Sequence, residues 1–249
     1  MKARLDELLY SELHPTIRAL ADGGFDKELA DLVRKPGNAV KAVEAMRQRL
    51  LDGDMVASTP GRLIDITTQV ELLIKAGYHE AAGLSASAYR QLWPKTVVQP
   101  LEYAGRFDAV LLVDTTIKAS ELVSRGNIYT YVQPSACTDL VKAPTALRYI
   151  AFVQLGQKNL GRTVEDCAKT FAPDEVGLTT VEGLHLPVQH KAYLRQYAID
   201  LAGSRYVSVD APYVYWFVSG RPFFFACDVR LSHPSYGSAS RGSAIITVP

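Results

Sequence analysis

Residues 155–163, LGQKNLGRT, have the spacing of a phosphate-binding loop. Gly156, Gly161, Arg162 and Thr163 stand where such a loop places its glycines, its cation and its hydroxyl. Glycines let backbone N–H groups surround a phosphate, the cation adds charge, and the hydroxyl holds magnesium. The segment follows an apolar run and precedes a helix-like one. Nucleotide or anion binding by this loop is therefore one interpretation.

Helix capping is the competing interpretation, and the sequence favours it. Arg162 replaces the usual lysine, and a planar guanidinium is not equivalent to an ammonium group. Thr163 followed by Asp166 is typical of a helix N-cap, and an acidic first turn suits the helix dipole but repels phosphate. Thr179 and Glu182 repeat the pattern with the spacing of a capping box. We expect the loop to start a helix.

A second candidate site lies near the C-terminus. Cys227, Asp228 and His233 follow an aromatic run, and a thiol, a carboxylate and an imidazole can supply a nucleophile with its base. With Arg205 or Arg241 they could form the catalytic site of an enzyme of unfamiliar type. The competing interpretation is a buried structural cysteine with histidines in loops, and the sequence favours it.

The glycine-rich segment at residues 233–243, HPSYGSASRGS, is a further candidate anion site. Such a loop can turn its N–H groups toward an anion, with Ser240, Arg241 or Arg205 adding polar contacts. The segment can also be a simple connection to the last strand, and this is the interpretation that the sequence favours.

No metal or cofactor is predicted. His185 and His190 are five residues apart, which on a helix separates them by about 140°. Cys137, Cys167 and Cys227 form no CxxC pair and are odd in number. Reduced thiols in a cytoplasmic protein are the simplest explanation.

Charge and hydropathy exclude several partners. The 249-residue chain has a net charge of +1, which gives no global field for nucleic acid or an anionic membrane. Its N-terminus lacks a signal peptide's apolar stretch, and its apolar runs fall short of the roughly 20 residues that span a bilayer. We expect a cytoplasmic protein without nucleic-acid or membrane partners. Its partners are otherwise unknown, and a homo-oligomer is left open.

Residues 213–229, YVYWFVSGRPFFFACDV, are the most aromatic part of the chain. Stacking on nucleic acid would need interleaved basic residues, and Arg221 is the only one here. We therefore predict a buried hairpin with cross-strand aromatic pairs.

The elements that must position these residues change along the chain. Apolar spacing predicts helices through residue 93, including one over residues 63–78 and one capped by Ser85. After residue 105 short β-branched and aromatic runs predict strands, with helices near 163–171 and 179–198. We predict an α+β fold in which a helical N-terminal half precedes a mixed or antiparallel sheet with helices packed on one side. The predicted domains are a helical region at 1–93 and an α+β domain at 94–249.

Several segments together resemble a bacterial family of uncharacterised proteins, a domain of unknown function, over about residues 62–243. The segments are QVELLIKAGYHEAAGLSASAYRQL at 69–92, APDEVGLTTVEGLHL at 172–186, GSRY at 203–206 and GRPFFFACDVRLSHPSYGSAS at 220–240. The resemblance agrees with helices followed by an α+β part, and it implies no reaction, cofactor or catalytic residue.

Three functions follow from the sequence. The leading hypothesis is an interaction or small-ligand-binding module, because no recognisable catalytic set is present and a helical layer over a sheet leaves room for a groove. The alternatives are the enzyme built on Cys227, Asp228 and His233, and a nucleotide binder that uses residues 156–163.

Overall fold

A mixed ten-stranded sheet dominates the computed structural model, which describes residues 61–217 and 220–248. In chain order the described strands are β1 (Arg62–Asp65), β2 (Thr96–Gln99), β3 (Ala109–Asp114), β4 (Tyr129–Thr130), β5 (Cys137–Asp139), β6 (Arg148–Gln154), β7 (Glu175–Gly177), β8 (Ala198–Leu201), β9 (Ser204–Tyr206), β10 (Asp210–Trp216), β11 (Pro222–Asp228) and β12 (Tyr236–Val248). The described α-helices are α1 (Thr67–Lys75), α2 (Tyr78–Ala81), α3 (Ala86–Leu92), α4 (Ala119–Arg125), α5 (Val164–Thr170), α6 (Thr180–Gln189) and α7 (Lys191–Leu194).

The main path of the sheet runs β3-β6-β12-β8-β10-β11-β4, with β5, β7 and β9 attached beside it. The β12–β8 and β11–β4 pairs are parallel, and the other pairs on this path are antiparallel. The strands β3 and β6 read AVLLVD and RYIAFVQ and are almost wholly buried, as expected of strands covered on both faces. β12 joins the β3–β6 part of the sheet to the β8–β10–β11 part.

Helices lie against both faces of the sheet. α6 packs on β3, β8 and β10, and a side chain at Gly183 would meet Leu201 at 2.2 Å, so this close approach requires glycine. α5 instead packs through Val164 against Ala202 and Ala211, in an apolar cluster separate from the main core. Ala211 faces the side of β10 opposite to Val214, which lies in the main core. The prediction that helices pack on one side was wrong.

The predicted helical N-terminal half was also wrong. Residues 1–60 lie outside the described residues, and the described part is mostly sheet, with its helices between residues 67 and 194. The first three residues of the helix predicted over 63–78 instead belong to the strand at 62–65, which pairs antiparallel with β2. The Asp65 carboxylate accepts a hydrogen bond from the Thr67 N–H at 2.7 Å, which separates strand from helix. The apolar residues of this segment fit the spacing of a helix and also that of a strand. The segment forms a strand because a pairing partner, β2, lies more than 30 residues later in the chain.

Residues 61–249 form one compact unit of the chain. α1 contacts α2, α3 and α6, so the helices before residue 93 pack with the helices that cover the sheet. The predicted boundary at residue 94 falls inside this unit, and the predicted helices before residue 61 lie outside the described residues.

Candidate functional site

The hairpin of β10 and β11 presents aromatic rings on one face of the sheet. Tyr213 is paired with Phe225 and Tyr215 with Phe223, and cross-strand partners share a face. The ring centroids are 6.1 Å apart in the first pair and 5.5 Å in the second. Alternation along each strand then places all four rings on the same side.

A short strand from elsewhere in the chain extends this face. β4 pairs in parallel with β11 and places Tyr129 beside Phe223, with 4.8 Å between the ring centroids. Tyr131 follows and lies 5.8 Å from Phe225. Two further aromatic side chains thus join the hairpin from a segment about 90 residues earlier.

Together these rings line a concavity of about 410 Å³, which we call the aromatic groove. Its lining residues are Tyr129, Tyr131, Tyr213, Tyr215, Phe217, Phe223 and Phe225. Tyr131 is 68% exposed and Phe217 is 41% exposed, whereas Val214 and Phe224 on the other face of the hairpin are fully buried. On the groove face Tyr213 is buried, while Tyr215, Phe223 and Phe225 are partly buried. The prediction of a buried hairpin is therefore correct for one face and only partly correct for the other.

Among the described residues, none of the side chains that line the aromatic groove is charged. The nearest cation seen at its margin is Arg221, whose guanidinium lies 5.0 Å from the centroid of the Tyr129 ring. Burial is the main cause that raises the pKa of Tyr213 and Tyr215 above the ordinary value. The hydroxyls of Tyr213 and Tyr215 therefore stay neutral and can donate or accept hydrogen bonds.

A buried carboxylate lies one strand away from the aromatic groove. Asp200 in β8 is opposite Tyr213 on one side and Ser238 on the other, and it is 3% exposed. Asp200 Oδ1 and Ser238 Oγ have no hydrogen-bond partner among the described residues. Burial raises the pKa of Asp200 to about 7. Sequence reasoning missed this residue, because AIDL reads as an ordinary strand.

Cys227 lies beside this carboxylate and keeps its proton. Burial raises the pKa of its thiol to about 12, and the charges of Asp200, Asp210 and Asp228 add to the shift. Nucleophilic cysteines need the thiolate, which a nearby positive charge or helix N-terminus stabilises. Acidic neighbours do the opposite, so the geometry disfavours Cys227 as a nucleophile.

The other two members of the predicted catalytic set have separate partners. Asp228 forms an ion pair with Arg230 at 2.6 Å, and hydrogen bonds from Arg230 lower the pKa of Asp228 to about 2. His233 Nδ1 lies 2.8 Å from the Ser235 hydroxyl, and the imidazole packs on Tyr236 with 5.0 Å between centroids. The structure shows no hydrogen bond that links these three side chains among the described residues.

The two arginines proposed to help them lie elsewhere. Arg205 donates to the carbonyls of Ala202 and Ser204, at 3.2 and 2.7 Å. Arg241 is 3% exposed and its Nε donates to Glu182 Oε1 at 2.5 Å, so a buried carboxylate already neutralises it. Ser240 donates its hydroxyl proton to the Glu175 carboxylate. Residues 236–243 of the 233–243 segment belong to the strand β12 itself, and residues 233–235 precede it, so most of the segment is strand rather than a loop.

The 156–163 segment uses its amides within the chain. The N–H groups of Gly156, Gly161 and Arg162 donate to Gln154 Oε1, the Tyr236 carbonyl and the Asn159 carbonyl, respectively, at 2.7, 3.0 and 3.2 Å. A side chain at Gly156 would meet the Gly237 carbonyl oxygen at 2.3 Å, so this glycine serves a close contact between backbones.

The predicted helix caps are confirmed. The Thr163 hydroxyl accepts a hydrogen bond from the Asp166 N–H at 3.1 Å and begins α5. Thr179 and Glu182 form a capping box at the start of α6, and Ser85 caps α3. The backbone N–H groups of residues 156, 161 and 162 already donate hydrogen bonds within the chain, so they are not available to bind a phosphate.

Within residues 61–217 and 220–248, no group of three or more His, Cys, Asp or Glu side chains is placed to hold a metal ion. None of the helices there combines the length and apolar character needed to cross a bilayer. All three cysteines are free.

Comparison with known proteins gives no family assignment, since no protein-family model, curated protein or solved structure matches the chain. The resemblance to a bacterial family therefore stays a prediction.

Proposed function

We propose that this protein is a small-ligand-binding module whose aromatic groove takes a molecule with a planar aromatic ring. The observation that carries the proposal is a concavity of about 410 Å³ whose lining, among the described residues, is seven aromatic side chains and no charged one. A volume of a few hundred Å³ is typical of small-molecule sites.

Exposure of the rings supports a binding role. Phe217, Phe223 and Phe225 do not contribute to the main core, which the opposite face of the hairpin supplies through Val214 and Phe224. Leaving large apolar rings in water forgoes burial free energy of about 25 cal/mol per Å². Contiguous exposed apolar surface of this kind is typical of binding sites.

The charge of the groove lining favours a neutral ring-bearing ligand over a cationic one. A cationic ligand would be favoured by an acidic lining, but no acidic side chain of the described part of the chain lines the groove, and Arg221 lies at its margin. A neutral planar ring can instead stack on the Phe faces and form hydrogen bonds with the neutral tyrosine hydroxyls.

We infer a cytoplasmic location for this module. Three free cysteines support it, because thiols persist in reducing compartments. An oligomeric form stays a prediction.

The test is a titration of the full chain with planar ring fragments, led by indole and adenosine, followed by ligand-observed NMR and calorimetry. We expect saturable binding that weakens roughly tenfold in Tyr131→Ala and in Phe217→Ala, since each variant loses one stacking ring. Both side chains are exposed, so both variants should fold. Leu231→Ala is the matched control, because Leu231 is 63% exposed and lies outside the groove lining.

Three results would overturn the proposal. They are the lack of saturable binding by any planar fragment, equal affinity in the two aromatic variants and the control, and tighter binding of methyl glucoside than of the planar rings. The last result would assign the groove to saturated sugar rings instead.

A further inference from the structure

A second concavity, of about 310 Å³, lies where the 3₁₀ turn Gln157–Asn159 meets the end of α5. It is lined by Arg106, Gln154, Lys158, Asn159, Arg162, Thr170, Phe171 and Glu175, and we call it the basic pocket. Three of these side chains are cations and one is a carboxylate. The whole chain has a net charge of only +1, so the positive charge is concentrated locally.

Two of the cations have no carboxylate partner among the described residues. Lys158 Nζ donates to the carbonyls of Gly105 and Arg106. Arg162 donates to Asn159 Oδ1, to the Asp166 carbonyl and to the Thr170 hydroxyl, at 3.2, 3.1 and 3.1 Å. All of these acceptors are neutral oxygen atoms, so the bonds fix the two side chains without cancelling their charges.

Both cations keep unused donors. Arginine carries five N–H donors, of which Arg162 uses three in the bonds above. Lysine carries three, of which Lys158 uses two. Arg106 differs, because Asp174 holds its guanidinium through two bonds of 2.9 and 2.7 Å. Lys158 and Arg162 are therefore the side chains available to an anion.

Buried amides hold the floor of the basic pocket in place. Gln154 and Asn159 are 7% and 8% exposed. Each donates its side-chain N–H to the Ser238 carbonyl at 2.8 Å, and Asn159 Oδ1 accepts from Arg162. A binding group fixed in this way loses little side-chain entropy when a ligand arrives.

We propose that the basic pocket binds a small phosphate ester. A phosphate offers three acceptor oxygens and carries nearly two negative charges, so it can accept from both Lys158 and Arg162, whereas a carboxylate has two oxygens and one charge. Phe171 provides an apolar wall, and the volume exceeds that of a phosphate group alone. The phosphate contacts side chains rather than the loop amides, so the site is distinct from a phosphate-binding loop, and it is independent of the aromatic groove.

The experiment titrates the full chain with inorganic phosphate and with phenyl phosphate, followed by phosphorus NMR and calorimetry. We expect saturable binding of both, with phenyl phosphate the tighter because of Phe171. Lys158→Gln and Arg162→Gln should each weaken binding roughly tenfold, since each removes a charge-assisted hydrogen bond. Lys158 is exposed, so its variant should fold even if the loss of Arg162 disturbs α5.

Lys169→Gln is the matched control. Lys169 lies on α5, its side chain is 63% exposed, and it is outside the pocket lining. It should change affinity by less than about twofold, because exposed charges are screened. The proposal is overturned if Lys169→Gln weakens binding as much as Lys158→Gln, if neither phosphate binds saturably at millimolar concentration, or if phenylacetate binds as tightly as phenyl phosphate.

Discussion

Asp200 is the residue whose ionisation most directly opposes folding. Its carboxyl is buried without a described cation beside it, and burial raises its pKa from 3.8 to about 7. A raised pKa means that the native state binds the proton more tightly than the unfolded state does. The stability it contributes is therefore present at acidic pH and is lost as the pH rises through 7.

Asp200→Asn should remove this dependence. Near pH 8.5 we expect the variant to be more stable than the parent by about 2–4 kcal/mol, and near pH 4 the two should be nearly equal. Urea unfolding at both pH values measures the difference. Asp228→Asn is a control of opposite sign, because the pKa of Asp228 is lowered and its contribution is lost as the pH falls. A difference between Asp200→Asn and the parent that does not vary with pH would contradict the burial of a titrating carboxylate.

At the scale of elements, the sequence predicted correctly the helix caps and strands that depend on neighbouring residues. The caps at Thr163 and Thr179 depend on residues within three positions and were correct. The strands β3, β6 and β11 follow from their β-branched and aromatic composition. LID at 63–65 was predicted to be helix, because the pairing of Ile64 with Val97 is not visible in a short window.

The candidate sites show the same division. The rings of β10 and β11 were visible in the sequence, but their exposure was not. Tyr129 and Tyr131 join the aromatic groove only because β4 pairs with β11. Arg162 was already a candidate anion-binding residue because of its position in the 156–163 loop. Lys158 became a candidate only because the fold places it in the lining of the basic pocket.

The contact between α6 and β8 gives a prediction at this scale. Gly183→Ala would bring a methyl group to 2.2 Å from the Leu201 side chain. Either the buried Leu201 side chain or the helix must then shift, and overpacking of this kind costs about 1–3 kcal/mol, which exceeds the gain of up to about 1 kcal/mol from alanine's helix propensity. Ser124→Ala in α4 is the control, because Ser124 is exposed on its helix. Thermal unfolding should show a lower midpoint for Gly183→Ala alone, and an equal or higher midpoint would contradict this packing.

At the scale of the whole molecule, β12 connects the parts of the sheet through a buried polar group. Arg241 on β12 donates to Glu182 on α6, and Glu182 also accepts from the Tyr149 hydroxyl on β6 at 2.8 Å. Glu182 closes the capping box with the Thr179 N–H at 2.7 Å. One carboxylate thus holds a helix, a central strand and β12 together, and its charge is balanced by one arginine.

A double-mutant cycle tests this arrangement. Arg241→Met leaves the Glu182 carboxylate buried without its counter-ion and should cost about 3–5 kcal/mol. Adding Glu182→Gln removes the uncompensated charge, so the double variant should recover part of that loss and give a coupling energy of about 1–3 kcal/mol. Urea unfolding of the parent, both single variants and the double variant supplies the four free energies. If the losses in free energy of unfolding are purely additive, Arg241 and Glu182 stabilise the sheet independently and the proposed ion pair is contradicted. A direct ion pair makes the second substitution less harmful once the first is present.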